Sequence, residues 1–186
     1  EQILLDRLDL QSGQRVLDIG YGAGKLLSVL QTLYGISGTG VDIAPLAIQR
    51  ALQWNPCSNR YFLADAEALP FANSYFDAVV SFDVLEHLPH PQICLREIAR
   101  VLKRGGKFLV YAISRKNSWT WHWLERKLTC GRLGVDQIGG HKYENFLVPR
   151  EALAWAESSN LKVEESVYFH ALFTLIAVQQ IVHLQS

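Results

Sequence analysis

Three glycines and four carboxylates are the residues of this sequence best suited to hold a ligand. Asp18-Ile19-Gly20-Tyr21-Gly22-Ala23-Gly24 sets glycines at alternate positions behind an acid, and Asp42, Asp65 and Asp83 each close a later apolar run. Glycines let a ligand approach the backbone closely, and a helix opening after them offers its unbonded N–H groups to a negative or polar group. A dinucleotide fingerprint requires G-x-G-x-x-G. The sixth position is Lys25 counting from Gly20 and Leu27 counting from Gly22, so neither frame fits. An acid just ahead of the turn would repel a pyrophosphate, whereas it suits a ligand carrying an ammonium or sulfonium group. Asp42 lies where a ribose-binding acid falls after such a turn. One acid at a strand end is commonly a turn former or helix cap. Four in series behind a glycine turn call for a ligand.

Delivering four acids to one place requires strands that end on one side. Apolar runs predict strands over Arg15–Ile19, Gly40–Ile43, Tyr61–Ala64, Phe76–Phe82 and Lys107–Ile113. Between them, helical spacing predicts helices over Lys25–Tyr34, over Leu46–Trp54 behind Pro45, and over Pro91–Leu102, stopped by Arg104-Gly105-Gly106. A short helix is expected at residues 3–10. A helix from Pro149 to Ser158 and strands at Leu161–Val167 and Ala171–Val178 close the chain. Alternation of strand and helix with short connectors from residue 15 to 113 predicts a parallel sheet wound on both faces, with ligands beyond the carboxyl ends of its strands.

The 186 residues suffice for one well-buried domain and are short for two. Lysine plus arginine balance the acids at 18 each, which excludes a globally basic nucleic-acid binder. Cys57, Cys94 and Cys130 are odd in number and widely spaced, against a disulfide scaffold or a cysteine metal site; a cytoplasmic setting is the expectation. No signal-peptide pattern opens the chain, and its most apolar run, Ala171–Val178, is too short to span a bilayer. The absence of any methionine, even at position 1, suggests a piece of a longer chain.

The Asp18-to-Gly24 motif resembles the glycine-rich turn of class I S-adenosylmethionine-dependent methyltransferases, of the small-molecule, methyltransferase-11-like type. Asp65-Ala66-Glu67-Ala68-Leu69-Pro70-Phe71 resembles the segment that borders adenine there, with Asp65 near the exocyclic amine. Phe76 to Leu88 looks like the fourth strand and its following loop, and Arg100 to Phe108 like the next helix–turn–strand. The resemblance implies a Rossmann-like α/β domain with a mostly parallel seven-stranded sheet, an antiparallel last strand, and a substrate-side insert after strand five. A single domain would then comprise a cofactor core at 13–113, an insert or lid at about 114–148, and a C-terminal helix and two strands at 149–186. It implies S-adenosyl-L-methionine as cofactor, held by Asp18, Gly20, Tyr21, Gly22, Gly24, Asp42, Ile43, Asp65, Ala66, Phe82, Asp83 and His87. Transfer would proceed by in-line displacement, leaving S-adenosyl-L-homocysteine. Tyr21 replaces the small residue more usual in the motif, and its ring either narrows the methyl-transfer opening or packs outward.

Residues 114–150 hold seven Lys/Arg against three Asp/Glu, and Trp119, Trp121 and Trp123 fall within five positions. Three readings stand side by side: a roof over an apolar acceptor pocket, a lid with its own small core, or a peripheral contact with an anionic membrane or partner. Gly139-Gly140-His141 to Phe146 is similar to a pattern in which a histidine and an aromatic face the substrate; His141 is equally a loop histidine bonding backbone. Together these nominate Tyr21, Trp119, Trp121, Trp123, His141 and Phe146 for the acceptor. His141 or His87 is a candidate general base should the acceptor be a hydroxyl. After the fourth strand stands Asp83-Val84-Leu85-Glu86 rather than N/D-P-P-Y/F, which disfavours a nucleic-acid acceptor and favours a small molecule. The rivals are a cofactor-binding regulatory or scaffold protein without transfer, a nicotinamide-dependent dehydrogenase, and a membrane-surface lipid or quinone methyltransferase.

Overall fold

The computed structural model describes residues 5–54, 59–113, 148–169 and 172–179. Seven strands form one sheet in the order β3-β2-β1-β4-β5-β7-β6. They are β1 (Arg15–Ile19), β2 (Ser37–Asp42), β3 (Arg60–Leu63), β4 (Phe76–Phe82), β5 (Leu102–Ile113), β6 (Leu161–Phe169) and β7 (Leu172–Gln179). Strands β1 to β5 pair in parallel, and β7 runs antiparallel to both β5 and β6. Helices α1 (Lys25–Tyr34), α2 (Pro45–Trp54), α3 (Pro91–Val101) and α4 (Pro149–Ser158) join them, with a 3-10 turn at Leu85–His87.

β1 is buried from Val16 to Ile19 because β2 and β4 pair with its two edges and a side-chain cluster covers each of its faces. On one face Leu17, Ile19, Val79, Phe108 and Val110 pack with α3 and α4 through Leu95, Ile98, Ala152 and Ala156. On the other, Val16, Val80 and Leu109 meet Leu27 and Leu30 of α1 and Leu5, Leu8 and Leu10 of the N-terminal segment. Within that segment Leu5 and Asp6 are helical, Leu8 N bonds to Leu5 O at 3.0 Å, and Asp9 takes φ +50°.

Two strand starts differ from the sequence reading by three residues or more. β2 begins at Ser37 rather than Gly40, because Ser37 already pairs with Arg15. The Arg104-Gly105-Gly106 stretch lies inside β5, which starts at Leu102 opposite Phe76 and shifts register before Lys107 meets Ala78. Helix α3 accordingly ends one residue early, at Val101. Gly105 takes φ +72°, and a Cβ on Gly106 would come within 2.9 Å of Asp77 O, so the bulge needs these glycines.

Candidate active site

β1, β2 and β4 end at one rim, and the glycine turn is folded over it. Gly20 N donates to Val41 O of β2 at 2.8 Å, and Gly24 N to Tyr21 O at 2.7 Å. Gly20, Gly22 and Gly24 all have positive φ, from 53° to 76°. A Cβ on Gly20 would strike the Val84 side chain, and one on Gly24 would lie 2.6 Å from the Tyr61 hydroxyl. Gly22 is different: a Cβ there meets nothing within 4 Å. Its half-buried backbone borders open space. α1 starts directly behind it, with Gly24 at its N-cap and no side chain capping its first N–H groups.

Asp42 ties this turn to β2. One carboxylate oxygen accepts from Gly22 N at 3.0 Å and the other from Ala44 N at 2.9 Å. Beside it Ile43 is 72% exposed, an apolar side chain standing open at the rim. Asp18 is only 3% exposed. Burial, and then the negative charge of Asp42, push its pKa up to about 8. No cation and no hydrogen-bond donor compensates Asp18 among the described residues, so a cationic group arriving at the rim would find a carboxyl ready to become its counter-ion. Asp65 lies on the loop after β3, where it accepts from Glu67 N at 2.8 Å, and Ala66 behind it is buried. Asp83 takes φ +55° and donates its N–H to Tyr111 O at 2.8 Å, linking the ends of β4 and β5. His87 is exposed at the end of the 3-10 turn, its N–H bonded to Val84 O.

Tyr21 takes neither of the two courses expected of its ring, narrowing the opening or packing outward. It turns inward, 5% exposed, onto Gly40 of β2 and onto Ala47 and Ala51 of α2, with its ring 4.9 Å from that of Tyr61. Burial and the nearby Asp42 charge push its hydroxyl up to about 12, which keeps it neutral. Phe82 is half-buried on the α1 face, its ring 5.6 Å from Tyr111 of β5. Trp119, Trp121, Trp123, His141 and Phe146 lie outside the described residues. The sequence reading missed Val84, Tyr61 and Tyr111, which shape the turn and the rim. Only contact across strands reveals them; no spacing does.

Residues 17–110 match the methyltransferase-domain family model. The chain belongs to the class I S-adenosylmethionine-dependent methyltransferase family. A ubiquinone biosynthesis O-methyltransferase of Xanthomonas oryzae pv. oryzae is 32% identical over 169 residues, covering 86% of this chain and 66% of that protein. The chain thus spans about two thirds of that relative's length. A SAM-dependent methyltransferase of Aquifex aeolicus shares the fold at a TM-score of 0.76 and 17% identity, over 96% of this chain and 88% of that one. So does the [4+2]-cyclase SpnF, at 0.78 and 17%, over 97% and 79%. The same fold therefore serves another reaction, and the family match rather than the fold identifies the methyltransferase. Its cofactor is S-adenosylmethionine. The rim fits that molecule: open backbone at Gly22, an uncapped helix N-terminus, and an uncompensated buried carboxyl. Among the described residues no helix is long and apolar enough to cross a membrane.

Proposed function

We propose that this chain is an O-methyltransferase acting on a small, largely apolar acceptor that carries a hydroxyl group, in a cytoplasmic setting. One observation supports it most. The likeness to the Xanthomonas protein, named for ubiquinone biosynthesis and for transfer to oxygen, extends over 86% of the chain. Residues 17–110 alone could not supply that coverage, so the likeness reaches past residue 110, into the part that this reading assigns to the acceptor.

When bound, the cofactor supplies a methyl group on a sulfonium centre, already a good electrophile. In this reading Asp42 accepts from the ribose hydroxyls, Asp65 and Ala66 border the adenine, and Asp18 answers the cationic end. Gly20, Gly22 and Gly24 keep the floor low, and Phe82 and Asp83 lie beside the methionyl part. The chain's remaining tasks are to hold the acceptor oxygen in line with the methyl, to exclude water, and to take the hydroxyl proton. His87 at the rim and His141 in the segment after β5 are the candidate bases. That segment leaves β5 at the rim itself, and its tryptophans and basic residues suit a roof over an apolar or anionic acceptor.

The test is a transfer assay with S-adenosylmethionine and a hydroxylated aromatic bearing an apolar tail, reading S-adenosylhomocysteine and the methyl ether. Formation of both supports the proposal. Cofactor binding by calorimetry without turnover on hydroxyl acceptors would sink it.

A further inference from the structure

We propose that Arg100 and Glu97 of α3 are positioning residues for adenine recognition: they hold the loop that presents Asp65 and Ala66 without touching the cofactor themselves. Arg100 spreads its guanidinium over that loop. Nη1 donates to Phe71 O at 2.6 Å and to Asn73 Oδ1 at 2.9 Å, and Nη2 donates to Leu69 O at 2.9 Å. Glu97 aims the guanidinium by accepting from Nε at 2.8 Å and Nη2 at 2.7 Å, and its Oε2 also accepts from Leu69 N at 2.9 Å. Leu69 is thus gripped at both its N–H and its carbonyl. At the other end of α3 the tie runs the opposite way, because Glu67 of the loop accepts from His90 N at 2.7 Å. Backbone bonds from Ser74 N to Arg100 O at 2.9 Å and from Tyr75 N to Val101 O at 2.7 Å fasten the end of the loop to the same helix, so the side-chain bonds of Arg100 and Glu97 act on the stretch before it.

This is more than a surface ion pair. An exposed Arg–Glu pair at i,i+3 contributes little, but here the fork is spent on three acceptors of a segment with no helix or strand of its own. A backbone carbonyl used in this way needs the planar, multiply donating guanidinium, and an ammonium cannot replace it. Phe71 adds an apolar anchor, edge-on to Phe62 and Phe76. Phe71 fixes where the loop lies, and the Arg100 bonds set its backbone path between Asp65 and Asn73. The carboxylate of Asp65 accepts one bond from Glu67 N, immediately before the gripped stretch, so its second oxygen is aimed by the same path.

The inference rests on the reading that Asp65 faces the exocyclic amine of adenine, and the experiment separates the two. Calorimetry with the full chain would give Kd for S-adenosylhomocysteine and for S-inosylhomocysteine, in which the exocyclic amine is replaced by a carbonyl. Wild type is expected to prefer the adenosyl compound by at least roughly tenfold, since a site built to bond a donor rejects the analogue lacking it. Arg100→Ala, Arg100→Lys and Glu97→Gln should each shrink that preference several-fold and raise KM for S-adenosylmethionine, with kcat at saturation held within about twofold. Lys103→Ala, which removes an ion pair with Asp77 at the start of β4 and none of the bonds that Arg100 and Glu97 make to the loop, is the control and should leave the preference intact. Glu97→Gln keeps the test open if Arg100→Ala fails to fold. An unchanged preference in the α3 variants, with Tm alone lowered, overturns the positioning role. Failure of wild type to discriminate overturns the Asp65 reading itself, and that is visible before any substitution is made.

Discussion

Asp18 and Gly22 show how far a single residue can carry the chemistry. Asp18 has its pKa raised on folding from 3.8 to about 8, by burial first and by Asp42 second. Between those values the folded protein keeps a proton that the unfolded chain has released, so the native state binds more protons and stability falls as pH rises from about 4 to about 8, then levels. Asp18→Asn holds the neutral form at every pH. Thermal melts without cofactor should show it level with wild type near pH 4 and increasingly more stable toward pH 8. A Tm difference independent of pH would show that Asp18 is not buried with its proton. The same substitution should weaken cofactor binding, because Asn cannot serve as counter-ion to a cation. Gly22→Ala makes the complementary case. It carries about 1–2 kcal/mol of left-handed backbone strain and no clash within the protein. It should therefore fold while losing cofactor affinity at least tenfold. Gly20→Ala, driven into Val84, should lose stability as well. If Gly22→Ala bound cofactor normally, the cradle would lie elsewhere.

At the scale of elements, periodicity and turn chemistry were enough to place β1, α1, β4 and α4, because each is buried on a regular face or punctuated by glycine or proline. β2 and β5 were misjudged at their starts for a common reason: pairing with a neighbour extends a strand past its own apolar run. Ser37 and Gly38 look like loop and are held by Arg15 and Val16, while Leu102 to Gly106 looks like a helix stop and is held by β4. The inward turn of Tyr21 was equally hidden, because the space it fills exists only once Gly40 and α2 come together. Asp77 shows such pairing acting at the base of β4. It accepts from Arg15 N at 2.9 Å and from Lys103 Nζ at 2.5 Å, joining β1, β4 and β5. Burial alone would raise its pKa, but the Lys103 hydrogen bond and the Arg15 N–H outweigh it and hold the carboxyl below the usual range. Asp77→Ala should cost about 1–3 kcal/mol in urea unfolding, since it orphans a backbone donor. Lys103→Ala, removing a partly exposed partner, should cost about 0–1 kcal/mol. Equal losses would mean the ion pair, not the Arg15 bond, is what joins the strands.

For the molecule as a whole, the division of labour follows the chain. Residues 17–110 are the part that matches the methyltransferase-domain family model, and the proposed reading puts the cofactor there. In the proposed reading the acceptor is chosen outside that match, and 35 residues separate the end of β5 at Ile113 from the start of α4 at Pro149. The cofactor was legible in the sequence because glycines and acids are read at fixed spacing. The acceptor was not, because tryptophans and basic residues serve a pocket roof, a lid core or a membrane contact with the same composition. Substitution kinetics separate the three. If the segment roofs the acceptor, Trp121→Ala and Arg126→Ala should raise acceptor KM several-fold while leaving the Kd for S-adenosylmethionine within about twofold, because uniform binding of the acceptor is lost and the cofactor rim is untouched. A lid with its own core predicts instead a lower Tm and a lower kcat with both affinities held. A membrane contact predicts kinetics that change only when anionic vesicles carry the acceptor, and that lose the vesicle effect in high salt. Acceptor KM unchanged in both variants, with a water-dispersed acceptor, would remove residues 114–147 from the acceptor site and return the search to Phe82, Tyr111 and His87 at the rim.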